Sequence, residues 1–316
     1  MAKILFIYKH NRSFVDRDFT ILSKRHEVTA FKFSFKHMFR LYRELKKCDI
    51  VYVWFASYHA YITSKLTNKP IVVAVGGYDA SDIKSYGMFS SYFRKKIVRS
   101  IYKRATKIFP VDNSLANALA TYAPETIPKT MTIPTGYDFH YFKPKGEKEN
   151  IVITVCFVDK TNLWRKGLNT LIDVAREISD VPFYIIGKVA DNVRNSIKNL
   201  PENVILTDWV SDEELLKMYQ KAKVFTLLSK HEGLPNVLCE AMLCNCIPVT
   251  TGVCGIPNAQ GTIGYYVGYG KKDDIIVAIK KALQQETTNE GRDRIKELFN
   301  VEKRERELNK LIGEVK

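Results

Sequence analysis

Short apolar runs rich in β-branched residues alternate with helix-like stretches along this chain of 316 residues. In the first half, the runs lie at 4–8, 27–31, 50–55, 71–75, 107–111 and 131–134, and helical stretches include 35–47 and 89–104. In the second half, runs at 151–156, 182–186, 204–206, 224–228 and 247–250 are separated by helical stretches at 167–178, 191–199, 212–221 and 235–244. Strands that alternate with helices predict parallel sheets that are covered on both faces.

The length and the repeated rhythm together predict two domains, because a single hydrophobic core rarely grows beyond about 250–300 residues. We expect an α/β protein with two Rossmann-like domains that face each other across a cleft. In such domains, ligands bind at the carboxyl ends of the strands. The first domain is predicted to span 1–143 and the second 144–291, with a linker near 142–148.

The positive charge is concentrated in the first half of the chain. Residues 1–143 hold 24 Lys and Arg against 10 Asp and Glu, so they carry +14 of the total net charge of +15. This asymmetry predicts an anionic partner for that half, which could be a membrane lipid, a nucleic acid or an acidic substrate. The alternative is a lysine-rich surface that only contacts water.

The cellular compartment follows from what the sequence lacks. No apolar run approaches the ~20 residues of a membrane-spanning helix, and the run at 1–8 is too short for a signal peptide. We therefore expect a cytoplasmic protein. The six cysteines form no paired Cys-x-x-Cys motif, which favours buried thiols over a zinc site.

Two helical stretches of the basic half, 35–47 and 89–104, mix aromatic residues with cations. One interpretation is that the aromatic side chains face the core and the cations face water, and it is favoured for the first stretch. The other is reversible docking on an anionic membrane, to which each cation contributes about 1 kcal/mol.

Several common nucleotide and metal motifs are absent or weak. No Gly-x-Gly-x-x-Gly follows the first strand, and there is no P-loop sequence. Asp16-Arg17-Asp18 resembles a metal-binding pair of carboxylates, but it lies in a helix-like stretch, so we interpret it as a solvated helix face. No metal site is predicted.

The strongest candidate site centres on two glutamates. Glu240 lies inside the apolar helical run 237–243, where a charge costs several kcal/mol unless it is paired. Glu232 lies eight residues earlier, and Pro235 suits the first turn of the helix that follows. The N–H groups at a helix start favour phosphate, and a carboxylate such as Glu240 can accept hydrogen bonds from a ribose diol.

A second strand end supplies positive charge through Arg165-Lys166-Gly167, between the first strand and the first helix of the second half. The alternative is a buried Glu–Lys pair beside an ordinary surface turn. The two strand ends together favour a pocket for a nucleotide diphosphate.

These segments resemble those of the retaining GT-B glycosyltransferases of the family-4 type, the glycosyl transferases of group 1. The resemblance lies in a Glu-x7-Glu motif, a Lys-Gly segment, a hinge-entry segment and a segment near the nucleotide base. In this chain these are Glu232 to Glu240, Arg165 to Leu168, Ile133 to Pro144 and Asp208 to Leu215.

The resemblance implies transfer of a sugar from a nucleotide diphosphate sugar to an acceptor hydroxyl, with retention and without a metal or other cofactor. It places Glu240 at the ribose, Lys166 at the diphosphate and Glu232 at the donor sugar. An arginine that often accompanies the lysine has no clear match, and Lys160 or Arg165 is expected to replace it. Further donor contacts are expected from Gly233, Leu234, Pro235, Asn236 and Val210.

The first half departs from the family pattern at two strand ends. The first strand is followed by His10-Asn11-Arg12-Ser13 in place of a Gly-Gly loop. The fourth ends in Gly76-Gly77-Tyr78-Asp79, where relatives usually carry a histidine that faces the donor sugar. Tyr78 and Asp79 are therefore catalytic candidates, with a structural turn as the alternative.

The family also implies that the helices of 292–316 cross back toward the first domain. The acceptor is expected to be a sugar, a growing glycan or a lipid-linked molecule, met either in the cytoplasm or at the inner face of the cell membrane. No nucleic-acid partner is expected. Two alternatives stay open, another GT-B enzyme such as an epimerase or phosphorylase, and a non-catalytic protein that binds anionic polymers.

Overall fold

The computed structural model describes residues 1–194, 197 and 199–316, and the chain divides into two compact units. The first unit contains Met1–Gly136 and Val301–Lys316, and the second contains Tyr137–Asn300. The boundary between the two units, after Gly136, therefore lies earlier in the sequence than the predicted boundary after 143. The predicted C-terminal segment 292–316 is shared between them.

The first unit is built on a parallel sheet with strand order β2-β1-β3-β4-β5. Its elements are β1 (Lys3–Tyr8), α1 (Ser13–Ser23), β2 (Glu27–Lys32), α2 (Met38–Lys47), β3 (Ile50–Trp54), α3 (Tyr58–Leu66), β4 (Ile71–Val75), α4 (Tyr92–Arg104), β5 (Lys107–Pro110) and α5 (Asn113–Tyr122). Every residue of β3 and β4 is buried, as expected for central strands with helices on both faces.

The predicted strand at 131–134 is not part of this sheet. Met131 and Ile133 donate hydrogen bonds from their backbone N–H groups to Ile108 O and Pro110 O, both at 3.0 Å. Pro110 has no N–H to return the next hydrogen bond of a parallel ladder, so the segment runs beside β5 without forming a strand.

The second unit has a parallel sheet with strand order β11-β10-β9-β6-β7-β8. Its elements are β6 (Glu149–Val155), α6 (Lys160–Arg165), α7 (Leu168–Glu177), β7 (Phe183–Ile186), α8 (Asp191–Arg194), β8 (Val204–Asp208), α9 (Asp212–Lys221), β9 (Ala222–Leu227), α10 (Asn236–Leu243), β10 (Ile247–Thr251), α11 (Ile256–Gln260), β11 (Tyr265–Val267), α12 (Lys272–Gln284) and α13 (Glu290–Leu298). The predicted helix at 191–199 begins as α8, and residues 195, 196 and 198 lie outside the described residues. The α/β class with two parallel sheets is confirmed.

The segment predicted as a linker, 142–148, begins inside the second unit. Arg292 of α13 donates hydrogen bonds to the carbonyl oxygens of Phe139, Phe142 and Leu243, each at 2.7 Å. These bonds hold the chain after Tyr137 against α10 and α13, which explains why the unit boundary comes before this segment.

The chain returns to the first unit as α14 (Val301–Val315), which a buried ion pair fixes to α1. Arg304 donates to both carboxylate oxygens of Asp18 at 2.5 and 2.6 Å, and its remaining nitrogen donates to Ile133 O and Pro134 O. Tyr52 and Trp54 also donate to Asp18, at 2.5 and 2.9 Å. Interpreting Asp18 as part of a solvated helix face was therefore wrong, because its side chain is completely buried.

No helix in the described ranges has the length and apolar character needed to cross a membrane. All six cysteines carry free thiols; four are buried and two partly buried. Within the same described ranges, no three His, Cys, Asp or Glu side chains form a group that could hold a metal ion.

Candidate functional site

The candidate site residues of the second unit lie in α6, in α10 and in the loops at the carboxyl edge of its sheet. β6 and β9 are adjacent parallel strands, so the loops that follow them leave the sheet side by side. The first loop leads through α6 to Lys166, and the second carries Glu232 into α10. The fold thus brings together two motifs that lie 66 residues apart.

Backbone contacts hold the two loops close together. Lys230 N–H donates to Arg165 O at 2.8 Å. Gly167 has a left-handed backbone with φ +67°, and a Cβ there would lie 2.4 Å from Leu228 O. Only glycine combines this conformation with so close an approach, so the glycine of the Lys-Gly segment sets the distance between the loops.

Lys166 and Glu232 form an ion pair between the loops, through Nζ and Oε1. The two side chains are only 13% and 11% exposed, and Ser229 Oγ donates to the same carboxylate oxygen at 2.6 Å. A lysine ammonium has three N–H donors, so Lys166 can bind Glu232 and an anionic ligand at once. The predicted diphosphate and donor-sugar residues are therefore direct neighbours.

The charge state of Glu232 follows from two opposing effects. Burial raises the pKa of Glu232, but the charges of Lys166 and Arg165, with hydrogen bonds from Lys166 and Ser229, outweigh burial and leave the pKa below its ordinary value. Glu232 is thus a carboxylate at neutral pH. Its interactions stabilise the fold above the ordinary glutamate pKa, and this contribution is lost as the pH falls through the lowered pKa.

Arg165 and Lys160 differ in their surroundings. The buried Arg165 donates to Asn162 Oδ1 at 2.7 Å and to His231 O at 3.2 Å, so it connects α6 to the loop of Glu232. Lys160 is exposed in the first turn of α6, whose N-terminus is capped by the Asp159 side chain. Of the two proposed substitutes for the missing arginine, only Arg165 contacts the loop that carries Glu232, within the part of the chain described.

The segment from Gly233 to Asn236 forms the entry to α10. Gly233, Leu234 and Pro235 are buried, and Pro235 occupies the N-cap position rather than the first helical turn. The Asn236 side chain accepts a hydrogen bond from Tyr137 Oη at 3.0 Å. The helix start is thus fixed at the same edge of the sheet as Lys166, where its dipole favours an anion.

Glu240 lies one turn further along α10 and is only 5% exposed. Tyr219 Oη donates to Glu240 Oε2 at 3.3 Å. Burial, and after it the charge of Glu240, raises the pKa of Tyr219 well above its ordinary value, so Tyr219 remains a donor. This hydrogen bond offsets part of the free-energy cost of burying the Glu240 charge inside an apolar helix. The role of Glu240 at a ribose stays a prediction.

Val210 belongs to the loop after β8, at the same edge of the sheet. Hydrogen bonds connect this loop to its neighbours, since Gly187 N donates to Asp208 O and Val158 N donates to Lys188 O, both at 3.0 Å. The loops after β8, β7, β6 and β9 therefore form a continuous series. Val210 is partly buried, and the adjacent Trp209 is 73% exposed.

In the first unit, Tyr78 and Asp79 follow β4 in a short 3-10 turn. Asp79 is completely buried, and its oxygens accept hydrogen bonds from the N–H groups of Gly76, Gly77 and Ala56 at 2.9–3.1 Å. Burial raises the pKa of Asp79 to about 6 despite these bonds. The contacts favour the structural alternative for Asp79, whereas Tyr78 lines a cavity at the carboxyl edge of the sheet.

Sequence reasoning did not identify Ser229, Tyr219 and Tyr137 as partners of Glu232, Glu240 and Asn236. Ser229 stands three residues before Glu232, a spacing that could have indicated a contact within the loop. Tyr219 and Tyr137 are 21 and 99 residues from their partners, and no local pattern indicates them.

Comparison with known proteins gives matches for the second unit and for the whole fold. Residues 152–285 match the family model described as "Glycosyl transferases group 1". One component of the phosphatidylinositol N-acetylglucosaminyltransferase of Arabidopsis thaliana is 25% identical over 183 residues, which cover 54% of this chain. The match spans only 41% of the length of that relative.

Two solved structures resemble the chain over nearly its full length. Sucrose-phosphate synthase from Thermosynechococcus elongatus has a TM-score of 0.80 at 16% identity, with 100% of this chain and 99% of the other covered. HepE of Anabaena, solved in complex with UDP-glucose, has a TM-score of 0.78 at 15% identity, with 99% and 100% covered. At these identities the likeness shows the fold.

Proposed function

We propose that this chain, whose residues 152–285 match the family model of the group 1 glycosyltransferases, transfers a sugar from a nucleotide diphosphate sugar to an acceptor hydroxyl with retention. The observation that carries the proposal is the buried Lys166–Glu232 pair at two adjacent strand ends, beside the start of α10. The name of the Arabidopsis relative and the UDP-glucose bound to HepE support a nucleotide-sugar donor.

In the proposed reaction, the acceptor oxygen bonds to the anomeric carbon while the bond from that carbon to the diphosphate oxygen breaks. The proton of the acceptor hydroxyl moves to the departing diphosphate. Retention requires the new bond to form on the face that the diphosphate leaves.

In this proposal, Lys166 and the start of α10 stabilise the negative charge that grows on the diphosphate. Fixed donors of this kind act without reorganising, so we expect transfer without an added metal ion. Glu232 keeps Lys166 in place and, in this proposal, contacts the donor sugar. Glu240 binds the ribose hydroxyls.

A panel of nucleotide sugars tests the function. We expect one donor to bind and to be consumed with an added acceptor or slowly hydrolysed without one, also in the presence of EDTA. Proton NMR of the product should show the same anomeric configuration as the donor. An inverted product would contradict retention, and isomerisation or phosphorolysis in place of transfer would favour another GT-B enzyme.

Binding of nucleic acid with no response to any nucleotide sugar would favour the non-catalytic alternative.

We also propose that the first unit docks on an anionic membrane, where it meets a lipid-linked acceptor. Four large aromatic side chains of its helical stretches are strongly exposed, with Phe35 at 72%, Phe39 at 81%, Tyr92 at 67% and Phe93 at 77%. The interpretation that the aromatic residues of these stretches face the core is therefore wrong for these four. It holds for the Phe89 side chain, which is buried.

The topology places these aromatic residues near one edge of the sheet. Helices α2, α3 and α4 follow β2, β3 and β4 and begin at the carboxyl edge, where the exposed rings lie in or just before the first turns of α2 and α4. Lys36, Arg40, Lys95 and Lys96 lie within three residues of one of these rings in the sequence. Aromatic rings that enter the interface and cations that meet anionic head groups act together.

Vesicle co-sedimentation tests this docking. We expect binding to phosphatidylglycerol-rich vesicles that weakens at high salt, and weaker binding to phosphatidylcholine vesicles. Phe39→Ser with Phe93→Ser should lower partitioning by about tenfold or more, since inserting each ring contributes on the order of 1 kcal/mol. Ile127→Ser, which removes an apolar side chain 56% exposed elsewhere in the unit, is the matched control. Equal binding to both lipids would contradict the proposal.

A further inference from the structure

A cavity of about 430 Å³ lies at the carboxyl edge of the first sheet. It is formed where β1, β3 and β4 end, so its walls come from three neighbouring strand ends. Among its lining residues are Lys9, His10, Arg12, Trp54, Tyr58 and Tyr78.

One wall of the cavity is positively charged. Lys9, His10 and Arg12 follow β1 in the loop where the family pattern has glycines. None of the described residues that line the cavity is acidic, and the described ion pairs join neither Lys9 nor Arg12 to a carboxylate. The charge of this wall is therefore available to a ligand.

The two histidines that line the cavity, His10 and His59, both have a lowered pKa. Burial and the nearby charges of Lys9, Arg12 and Lys32 lower the pKa of His10. On another wall, burial lowers the pKa of His59 to about 4, and its ring is bonded to Trp54 O and Ser57 Oγ at 2.8 and 2.9 Å. His59 is thus neutral and structural, whereas His10 is sensitive to any charge that enters.

Another part of the lining is aromatic and leads toward the exposed rings described above. Tyr78 and Tyr86 lie edge to face at 5.3 Å. The ring of His59 lies 6.0 Å from Phe33, which lies 5.5 Å from the exposed Phe35. The cavity therefore adjoins the surface that is proposed to enter the membrane.

We propose that this cavity binds the phosphate-bearing head group of the lipid acceptor, with the phosphate on Lys9, His10 and Arg12 and the rest of the head group against the aromatic wall. The proposal rests on the proposed function and specifies its acceptor. Cations in a cavity without carboxylates favour an anion, and aromatic walls favour the faces of sugar or polyol rings.

The test follows the ring signals of His10 by NMR in the full chain, with His10→Gln used for assignment. The probes are short-chain phosphatidylinositol below its micelle concentration, inorganic phosphate, and octyl glucoside as an uncharged amphiphile. We expect the phosphatidylinositol to bind and to raise the pKa of His10, because a bound anion stabilises the protonated ring. Phosphate should bind at least about tenfold more weakly, and octyl glucoside should leave this pKa unchanged.

A matched pair of double variants separates the cavity from general electrostatics. Lys9→Gln with Arg12→Gln should weaken phosphatidylinositol binding by about tenfold or more, as expected for loss of charge-assisted hydrogen bonds. Arg25→Gln with Lys69→Gln removes the same charge at the amino edge of the same sheet and should leave binding unchanged.

Three outcomes would overturn the proposal: no phosphatidylinositol binding, equal affinity for inorganic phosphate, or an equal loss in the control variant. Nucleoside diphosphate binding is measured on the same samples. If it persists while the lipid fails to bind, the acceptor proposal fails and the transferase proposal stands.

Discussion

Replacing Arg304 with methionine is expected to lower the free energy of unfolding of the first unit by about 3–5 kcal/mol. The variant keeps an unbranched side chain but removes the charge that faces Asp18, which then remains as a buried and uncompensated carboxylate. It also removes the donors to Ile133 O and Pro134 O. Tyr52 and Trp54 still donate to Asp18 and cannot replace a full positive charge.

Urea unfolding with Trp54 as the reporter measures this effect. The chain has three tryptophans, and replacing Trp164 and Trp209 with phenylalanine leaves the fluorescence of Trp54, whose ring contacts Asp18. Arg306→Met is the matched control, because Arg306 lies on the same helix with a side chain 66% exposed and should change stability by less than about 0.5 kcal/mol. Equal midpoints for the two variants would show that the buried pair contributes little.

Replacing Lys166 with alanine is expected to lower kcat/KM for the preferred donor by about 100- to 1000-fold, the usual effect of losing one fixed charge at a developing anion. The affinity for the nucleoside diphosphate should fall as well. Glu232→Gln should lower kcat more than it raises KM, because its proposed contact is with the reacting sugar. Steady-state kinetics and calorimetry with the nucleoside diphosphate separate the two effects.

The control for Lys166 is another lysine–glutamate pair of the same unit. Lys221 and Glu149 lie 3.3 Å apart at the surface, with side chains 59% and 53% exposed. Lys221→Ala should therefore leave activity unchanged. If Lys166→Ala kept wild-type kcat/KM with a wild-type circular dichroism spectrum, the ion pair would be structural and the donor site would have to lie elsewhere.

The sequence predicted the parts of the fold that depend on local pattern. Alternating apolar runs and helical stretches predicted two parallel sheets, and two strand ends of the second half predicted one shared pocket. The direct ion pair between Lys166 and Glu232 at those strand ends was not predicted. The strand expected at 131–134 failed because of Pro110, a residue in a different segment. Ladder formation depends on both partners, so the pattern of one segment does not determine it.

Side chains whose partners are distant in sequence were the least predictable. Asp18 belongs to a polar triplet on a helix, and its partners Tyr52, Trp54 and Arg304 lie 34, 36 and 286 residues away. Phe39 has the spacing of a core residue, yet it is exposed while Leu41 and Leu45 fill the core. Helical periodicity gives the buried face approximately, and the tertiary contacts decide which of its edge residues are covered.

The first unit is made of two segments, Met1–Gly136 and Val301–Lys316, with the whole second unit encoded between them. During synthesis, Asp18 therefore leaves the ribosome long before Arg304 does. The second unit is continuous in sequence and can complete its core first, while the first waits for Leu308, Leu311 and Ile312 of α14. A nascent chain at this stage exposes an apolar groove beside an unpaired carboxylate, so chaperone binding to ribosome-bound chains should decline once α14 has emerged.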